Sequence, residues 1–383
     1  MRENQKLIAH KGRLKEWLFR DCLPIWWSYG ADLQIGGFYE RLNQDVSPDN
    51  IERRTRVAAR QIYSYSKAKL MGYLGECDGP ITQGLEWLDT KCLNVDGYYS
   101  AVLDAKGDAI DANFNLYDHA FILTGLAAAN QLRPHDLHLR EQAEELRDRI
   151  LADFAHPIIG FEEANPRRLP LKANPHMHML EASLAWVAAG GDAKWLDIAN
   201  SIVHLATSKF IDTSSGAILE YFDGDWNPIA DKQIQQVEPG HQFEWAWLLL
   251  KWAKISHDNS ILPVAKKLVQ IGETYGVDPL RGVTFNSLNM DLTPRDFSAR
   301  LWPQTERIKA HIELARHFDD DAEIGAAQTS AIKACDGLGQ YLNTDMKGLY
   351  ADRMNEDGTI INESAPASTL YHLVCAIDEL NRK

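Results

Sequence analysis

The stretch Glu238-Pro239-Gly240-His241-Gln242-Phe243-Glu244-Trp245 sets an imidazole and, three residues on, a carboxylate at the start of a helical run otherwise made of Phe, Trp, Ala and Leu. That spacing puts both on one helical face. A helix so apolar is buried on several sides, and ionisable groups there must be paired with one another or form a reaction centre. Comparable residues recur along the chain: Arg60, Tyr117, His178, His241, Trp302 and His372 are separated by 57, 61, 63, 61 and 70 residues. Near them stand Asn174, His176, Glu181, Glu244, Glu306 and Asp118. Imidazole suits proton transfer at carbon and oxygen because it accepts and donates near neutral pH. Arg60 keeps its charge and can stabilise a developing oxyanion. Trp302, Trp245 and Tyr117 offer flat faces to a ligand's C–H groups. Glu181 and Asp118 could orient a neighbouring His or form ion pairs. Within 238–245, the His-x-x-Glu spacing reads as a base, His241, held by a neighbouring carboxylate, Glu244.

The same residues bear on two rival chemistries. His176-x-His178 and His241-x-x-Glu244 have metal-ligand spacing, yet the chain has no His-Glu-x-x-His, no Cys ligand set and no acidic calcium loop, so no metal is expected. A glycoside hydrolase would use two facing carboxylates, for which Glu244 and Glu306 could serve. The surrounding His and Arg favour proton movement on carbon and oxygen over acetal cleavage. No Walker motif or Gly-rich dinucleotide fingerprint is present, and no cofactor is expected.

The elements that carry these residues repeat. Gly37, Gly97, Gly160, Gly216, Gly282 and Gly348 each sit between two helical stretches, at intervals of 60, 63, 56, 66 and 66 residues. Each begins what reads as a short hairpin. The helix before it is amphipathic, as with Leu139, Ala143, Leu146, Ile150 and Phe154, and the helix after it is richer in apolar or small residues. The first helix is expected over roughly residues 4–22, and inner helices near 54–72, 113–131, 174–189, 239–256, 300–317 and 367–380. Six amphipathic outer helices, six hairpins and six inner helices predict an all-α (α/α)6 toroid, because an open row of inner helices would leave its end faces unburied. Nothing in composition divides residues 1–383, so one catalytic domain is expected. The starts of the inner helices should then converge on one pocket.

Composition narrows the partner. With 54 acidic against 40 basic residues the net charge is −14, which argues against nucleic acid and anionic membrane surfaces. No apolar run reaches membrane-spanning length and the N-terminus has no signal core, which reads as cytoplasmic. Five scattered cysteines suggest buried thiols rather than disulfides.

Six motifs together resemble the N-acylglucosamine 2-epimerase superfamily, which includes bacterial mannose isomerases and cellobiose 2-epimerases. They are Ala58-Ala59-Arg60-Gln61-Ile62-Tyr63-Ser64-Tyr65, Tyr117-Asp118-His119-Ala120-Phe121, Asn174-Pro175-His176-Met177-His178-Met179-Leu180-Glu181-Ala182, Pro239-Gly240-His241-Gln242-Phe243-Glu244-Trp245, Trp302-Pro303-Gln304-Thr305-Glu306 and Tyr371-His372. The likeness spans essentially the whole chain and leans to the mannose isomerase branch. It implies a metal-independent isomerase or 2-epimerase of unphosphorylated sugars, with His241 and His372 as the acid/base pair and Arg60 on the charged sugar oxygens. It further implies that Glu244, His178, His176, Asn174, Tyr117, Trp302 and Glu306 line and tune the pocket, and that the partner is a monosaccharide. A monomer or homodimer is expected. The cluster Arg53, Arg54, Arg56 leaves a phosphorylated sugar open.

Overall fold

All six repeat glycines adopt positive φ, between 70° and 95°. That conformation costs an L side chain about 1–2 kcal/mol, so glycine marks the repeat. Each turn reverses the chain at the end of an outer helix. In five of them the residue after the turn bridges back antiparallel, as Ala31 to Phe38, Leu93 to Tyr99, Ala155 to Phe161, Ile211 to Ile218 and Val277 to Thr284.

The computed structural model describes residues 4–49 and 51–382. Residues 1–3, part of the expected unsignalled N-terminus, lie outside the described residues. The outer layer holds α1 (Gln5–Trp17) continuing through a π-helical turn (Leu18–Cys22) into α2 (Leu23–Ser28), and then α4 (Asp78–Trp87), α6 (Leu137–Asp153), α8 (Ala193–Leu205), α10 (Leu262–Gly276) and α12 (Asp321–Tyr341). The inner layer is α3 (Thr55–Leu70), α5 (Leu116–Leu132), α7 (Ala173–Ala188), α9 (Pro239–Ser256), α11 (Trp302–Arg316) and α13 (Ala367–Asn381). Burial follows the sequence pattern. α6 buries Leu139, Ala143, Leu146, Arg147 and Ile150, whereas α9 is buried continuously from Pro239 through Leu250.

Each inner helix packs against the next, and α13 returns to α3, so the ring closes as an (α/α)6 toroid. The expected inner helices lie within a few residues of those found. The first helix runs past residue 22, because Pro24 sits at the start of a new helical segment where its missing N–H costs nothing.

The inserts differ from independent hairpins in one respect: each also pairs with the insert of the next sector. Arg53–Arg54 pairs with Val102–Leu103, Phe114–Asn115 with Ala164–Asn165, Leu171–Lys172 with Tyr221–Phe222, and Pro294–Arg300 with Arg353–Met354. Val237 bridges Leu288, and Arg41–Leu42 pairs with Ala365–Pro366 across the join between chain ends. A segmented β belt thus ties the sectors at the end of the ring where the inner helices begin. The five cysteines are buried free thiols. Among the described residues no helix is long and apolar enough to cross a membrane.

Two belt glycines should separate backbone strain from steric clash. A Cβ on Gly282 meets nothing within 4 Å, while one on Gly348 runs into the Asp21 carbonyl and Ile25. Gly282→Ala is therefore expected to lose about 1–2 kcal/mol in urea unfolding, and Gly348→Ala clearly more. Equal losses would show that the clash is relieved without cost.

Candidate active site

The first turns of all six inner helices surround one cavity of about 250 Å³, lined by Arg54, Arg56, Arg60, Tyr117, Asn174, His178, Glu238, His241, Glu244, Arg300, Trp302, Ser368, Thr369 and His372. Each helix presents its N-terminal, partially positive end there, an arrangement that favours negative charge developing in the cavity. Of the expected residues, Arg60, Tyr117, Asn174, His178, His241, Glu244, Trp302 and His372 come together. Asn174 Oδ1, Glu244 Oε1 and Arg60 Nε are buried without a protein hydrogen-bond partner. Such atoms are costly unless a polar ligand meets them.

The two expected acid/base histidines stand on either side of Trp302, whose ring centroid is 5.1 Å from that of His241 and 5.8 Å from that of His372. Their electrostatic settings are opposite. His241 Nδ1 lies 2.9 Å from Glu220 Oε1 and 3.6 Å from Glu238 Oε2. Burial alone would lower its pKa, but the charges of Glu220 and Glu238 reverse this and raise it to about 10. His241 is therefore an imidazolium at neutral pH. His372 Nδ1 lies 2.9 Å from Glu306 Oε1. Burial, aided by the charges of Arg60 and Lys309, drives its pKa well below the ordinary imidazole value. As a neutral ring donating Nδ1–H to Glu306, it keeps an unprotonated Nε2.

Arg60 donates to Tyr117 Oη (2.8 Å) and the Ser368 carbonyl (3.0 Å), and its guanidinium lies 3.9 Å over the Phe121 ring. His178 donates from Nδ1 to Glu181 Oε2 at 3.2 Å, and the Tyr371 hydroxyl donates to the other oxygen. Burial lowers the His178 pKa to about 4 and leaves it neutral. Burial opposes ionisation of Glu181, but His178, Lys309 and Tyr371 hold it at about 2. Glu244 is raised well above the carboxylate range by burial and the nearby Glu306 charge, so it is a protonated acid facing the cavity.

Several expected placements are corrected. The carboxylate that holds His241 is Glu220, from the insert before α9, and not Glu244. The i, i+3 spacing puts Glu244 on the same face, but its oxygens turn inward toward Glu306 and His372. Glu306 itself lies behind His372 and does not line the cavity. His176 is turned outward: its Nε2 accepts from the Phe161 N–H at 3.1 Å and its Nδ1 meets the Lys172 carbonyl at 3.1 Å. His119 does the same for the Tyr99 amide, and Gln242 and Gln304 for those of Ile218 and Thr284. These four side chains clamp the inserts. Trp245 is fully buried against Phe210 and away from the cavity. Arg53 is buried on Asp32 at 2.5 Å, Arg54 pairs with Glu40 at 2.5 Å and Arg56 with Asp118 at 2.7 Å.

The sequence reading missed Glu220, although a signal existed. Glu40, Glu163, Glu220 and Asp352 stand three or four residues after their repeat glycines, and the last three hold the Lys172 amide, His241 and Thr369.

Three residue sets are close enough to share a metal ion: His178, Glu181 and Glu244; Glu220, Glu238 and His241; and Glu244, Glu306 and His372. In each, protein partners already meet part of the donor set: Tyr371 on Glu181, the His241 proton on Glu220, and the Lys309 ammonium 2.5 Å from Glu306.

Residues 37–376 match the N-acylglucosamine 2-epimerase (GlcNAc 2-epimerase) family. A Rhizobium meliloti protein named mannose-6-phosphate isomerase is 40% identical over 372 residues, 96% of each chain. A D-mannose isomerase of Marinomonas mediterranea is 26% identical over 301 residues, covering 75% of this chain and 76% of that one. A crystal structure of a D-mannose isomerase superposes with a TM-score of 0.85 at 22% identity, over 99% of this chain and 97% of that one, and establishes likeness of fold.

The charge state of His241 can be checked without substrate. By ¹⁵N NMR it should titrate near pH 10, and Glu220→Gln should lower that value by about 1–3 units through loss of an adjacent opposite charge. A wild-type His241 titrating near neutrality would overturn the assignment of an imidazolium.

Proposed function

The chain belongs to the N-acylglucosamine 2-epimerase family, and from that premise we propose that it is an aldose–ketose isomerase. Its substrate is D-mannose or a closely related aldose, converted to the ketose D-fructose or its counterpart through an enediolate. In this reading the neutral His372 Nε2 takes the C2 proton and returns it to C1. The His241 imidazolium donates hydrogen bonds to the ring or carbonyl oxygen and serves as the acid in ring opening. Arg60 and Tyr117, with the converging helix N-termini, stabilise the enediolate oxygen. His178, Asn174 and Glu244 meet sugar hydroxyls, and Trp302 packs on the sugar's C–H face. Glu306 acts through His372 without touching substrate.

The observation that carries this reading over 2-epimerisation is the unequal setting of the histidines: two carboxylates stand against His241 Nδ1, and one, itself countered by Lys309, against that of His372. Epimerisation reverses only if the two acid/base groups exchange roles, so the group that protonates in one direction must deprotonate in the other. With its pKa near 10, His241 is a poor base at neutral pH. Transfer of the proton between C2 and C1 needs one shuttle, which His372 supplies in both directions, while His241 keeps its proton through that step. The isomerase names of the two relatives are consistent with this. The cavity, at about 250 Å³, is smaller than the about 300–1,000 Å³ usual for drug-sized ligands, which suits one sugar ring. A glycoside hydrolase is disfavoured because Glu306 lies behind His372 instead of facing Glu244 across the cavity.

A second reading, a phosphorylated hexose, is favoured by one observation: Arg54, Arg56 and Arg300 line the rim, and the 40% identical relative carries a phosphosugar name. Arg54 and Arg56 are already ion-paired, which makes the free sugar the first choice. Metal independence belongs to the same proposal, since base, acid and oxyanion stabiliser are all side chains.

Incubation with D-mannose in deuterated water should give fructose, labelled at C1 to the extent that the shuttled proton exchanges with solvent, whereas glucose labelled at C2 without fructose would establish the epimerase. Mannose 6-phosphate, run in parallel, decides the second reading by its kcat/KM. His372→Asn and His241→Asn should each lower kcat by about 10²–10⁴. The acid limb of the pH profile should lie below the ordinary imidazole value, because His372 must stay neutral. Loss of activity on prolonged chelation, restored by a divalent ion, would overturn the metal-free mechanism.

A further inference from the structure

Behind the cavity, Lys309 of α11 is completely buried. It lies one helical turn after Glu306, and its Nζ stands 2.5 Å from Glu306 Oε2. The other oxygen of that carboxylate is the one that meets His372 Nδ1 at 2.9 Å. Ammonium, carboxylate and imidazole therefore form one chain from the interior to the cavity wall. Nζ also lies 3.8 Å over the Trp247 ring on α9 and 3.7 Å from Cys375 Sγ on α13.

A buried ion pair is weak evidence for stability, since desolvating an ammonium costs several kcal/mol and apolar residues of similar volume often serve as well. A staple between α9, α11 and α13 would not need Lys309. What the ammonium does, and an apolar residue could not, is fix the protonation of Glu306. Burial holds the Glu306 pKa above its ordinary value, Lys309 is the main influence limiting that rise, and Glu181 adds to the upward push. Without Lys309, the balance at Glu306 moves further toward the protonated acid. A carboxylic acid facing Nδ1 donates instead of accepting, which would move the imidazole hydrogen to Nε2 and leave no lone pair toward the cavity.

We propose that Lys309 is a positioning residue for proton transfer: it keeps Glu306 ionised, and Glu306 in turn holds His372 as the Nδ1–H tautomer with Nε2 free. This rests on the reading of His372 as the base. The charged and titratable groups around His372 are Arg60 from α3, His178 and Glu181 from α7, Glu244 from α9, Glu306 and Lys309 from α11, and Tyr371 beside it on α13. Of the two cations among them, only Lys309 contacts the carboxylate that bonds the ring. Arg60 instead donates to Tyr117 and Ser368.

The test compares Lys309→Met and Lys309→Arg with wild type and His372→Asn, with folding checked by circular dichroism and thermal unfolding. ¹⁵N-histidine NMR of the unliganded protein reads the tautomer directly. In wild type His372 Nδ1 should carry the hydrogen and Nε2 should be unprotonated. In Lys309→Met the hydrogen should move to Nε2, with kcat falling by about 10²-fold or more and KM changing by less than about threefold. An imidazolium protonated at both nitrogens in Lys309→Met would show Glu306 still ionised without the ammonium and would overturn the proposal. Lys309→Arg should restore the wild-type tautomer and at least about a tenth of kcat. An unchanged tautomer in Lys309→Met overturns the proposal, whatever happens to the rate, as does a wild-type kcat and pH profile in that variant. A fully active His372→Asn would instead overturn the assignment of the base, and the tautomer measurement keeps the two failures apart.

Discussion

Closure of the inner helical ring is the constraint on which the site depends. Six parallel helices packed in a circle must start at the same end, so their N-terminal residues face a common space whatever those residues are. The positive ends of the helix dipoles converge there as well. The ring thus supplies a place where an oxyanion is favoured before any side chain is chosen. The β belt reinforces the same end. Its two- to seven-residue strands contribute little burial, but each spans a junction between sectors, and the pairing of Arg41–Leu42 with Ala365–Pro366 joins the first sector to the last.

Within that space, carboxylates behind the histidines differentiate them. Glu220 and Glu238 crowd His241 with negative charge, and the imidazole is held protonated. His372 has one carboxylate, Glu306, whose charge is largely met by Lys309, while Arg60 adds positive field from α3. The same side chain in the same layer of one ring is therefore held charged at one position and neutral at the other. The difference is set by residues that do not line the cavity, apart from Glu238 and Arg60.

Much of the fold was legible because it repeats. Glycine at positive φ, alternation of amphipathic with apolar helices and a near-constant interval all follow from one supersecondary unit used six times. The cross-sector pairing of the belt was not legible, since strands of two residues carry too little pattern to specify a partner. At the site, the reading that several polar residues in one layer must share a function was too generous. Two layers are superimposed at the helix starts. Tyr117, Asn174, His178 and His241 point inward, while His119, His176, Gln242 and Gln304 point outward and clamp the backbone of the inserts. A clamp needs only an acceptor at a fixed offset, and imidazole or a side-chain amide supplies one equally well. The mixture of His and Gln at equivalent positions is what separates a repeated structural role from a catalytic one.

The acidic groups follow a similar logic. A pair of carboxylates facing a sugar would direct the fold toward acetal hydrolysis, in which one must be protonated and the other free to attack or to activate water. Here the carboxylates nearest the histidines face imidazoles: Glu220 on His241, Glu181 on His178 and Glu306 on His372. Each spends its charge on fixing a ring's tautomer or proton count, which transfers control of protons at the cavity wall from oxygen acids to nitrogen bases. Glu244 is the exception. Buried, uncharged and with one oxygen unpartnered, it is available to a hydroxyl group as a hydrogen-bonding acid but not as a nucleophile. The set as a whole is therefore suited to moving protons between carbon and oxygen on an intact sugar, and poorly suited to breaking its glycosidic bond.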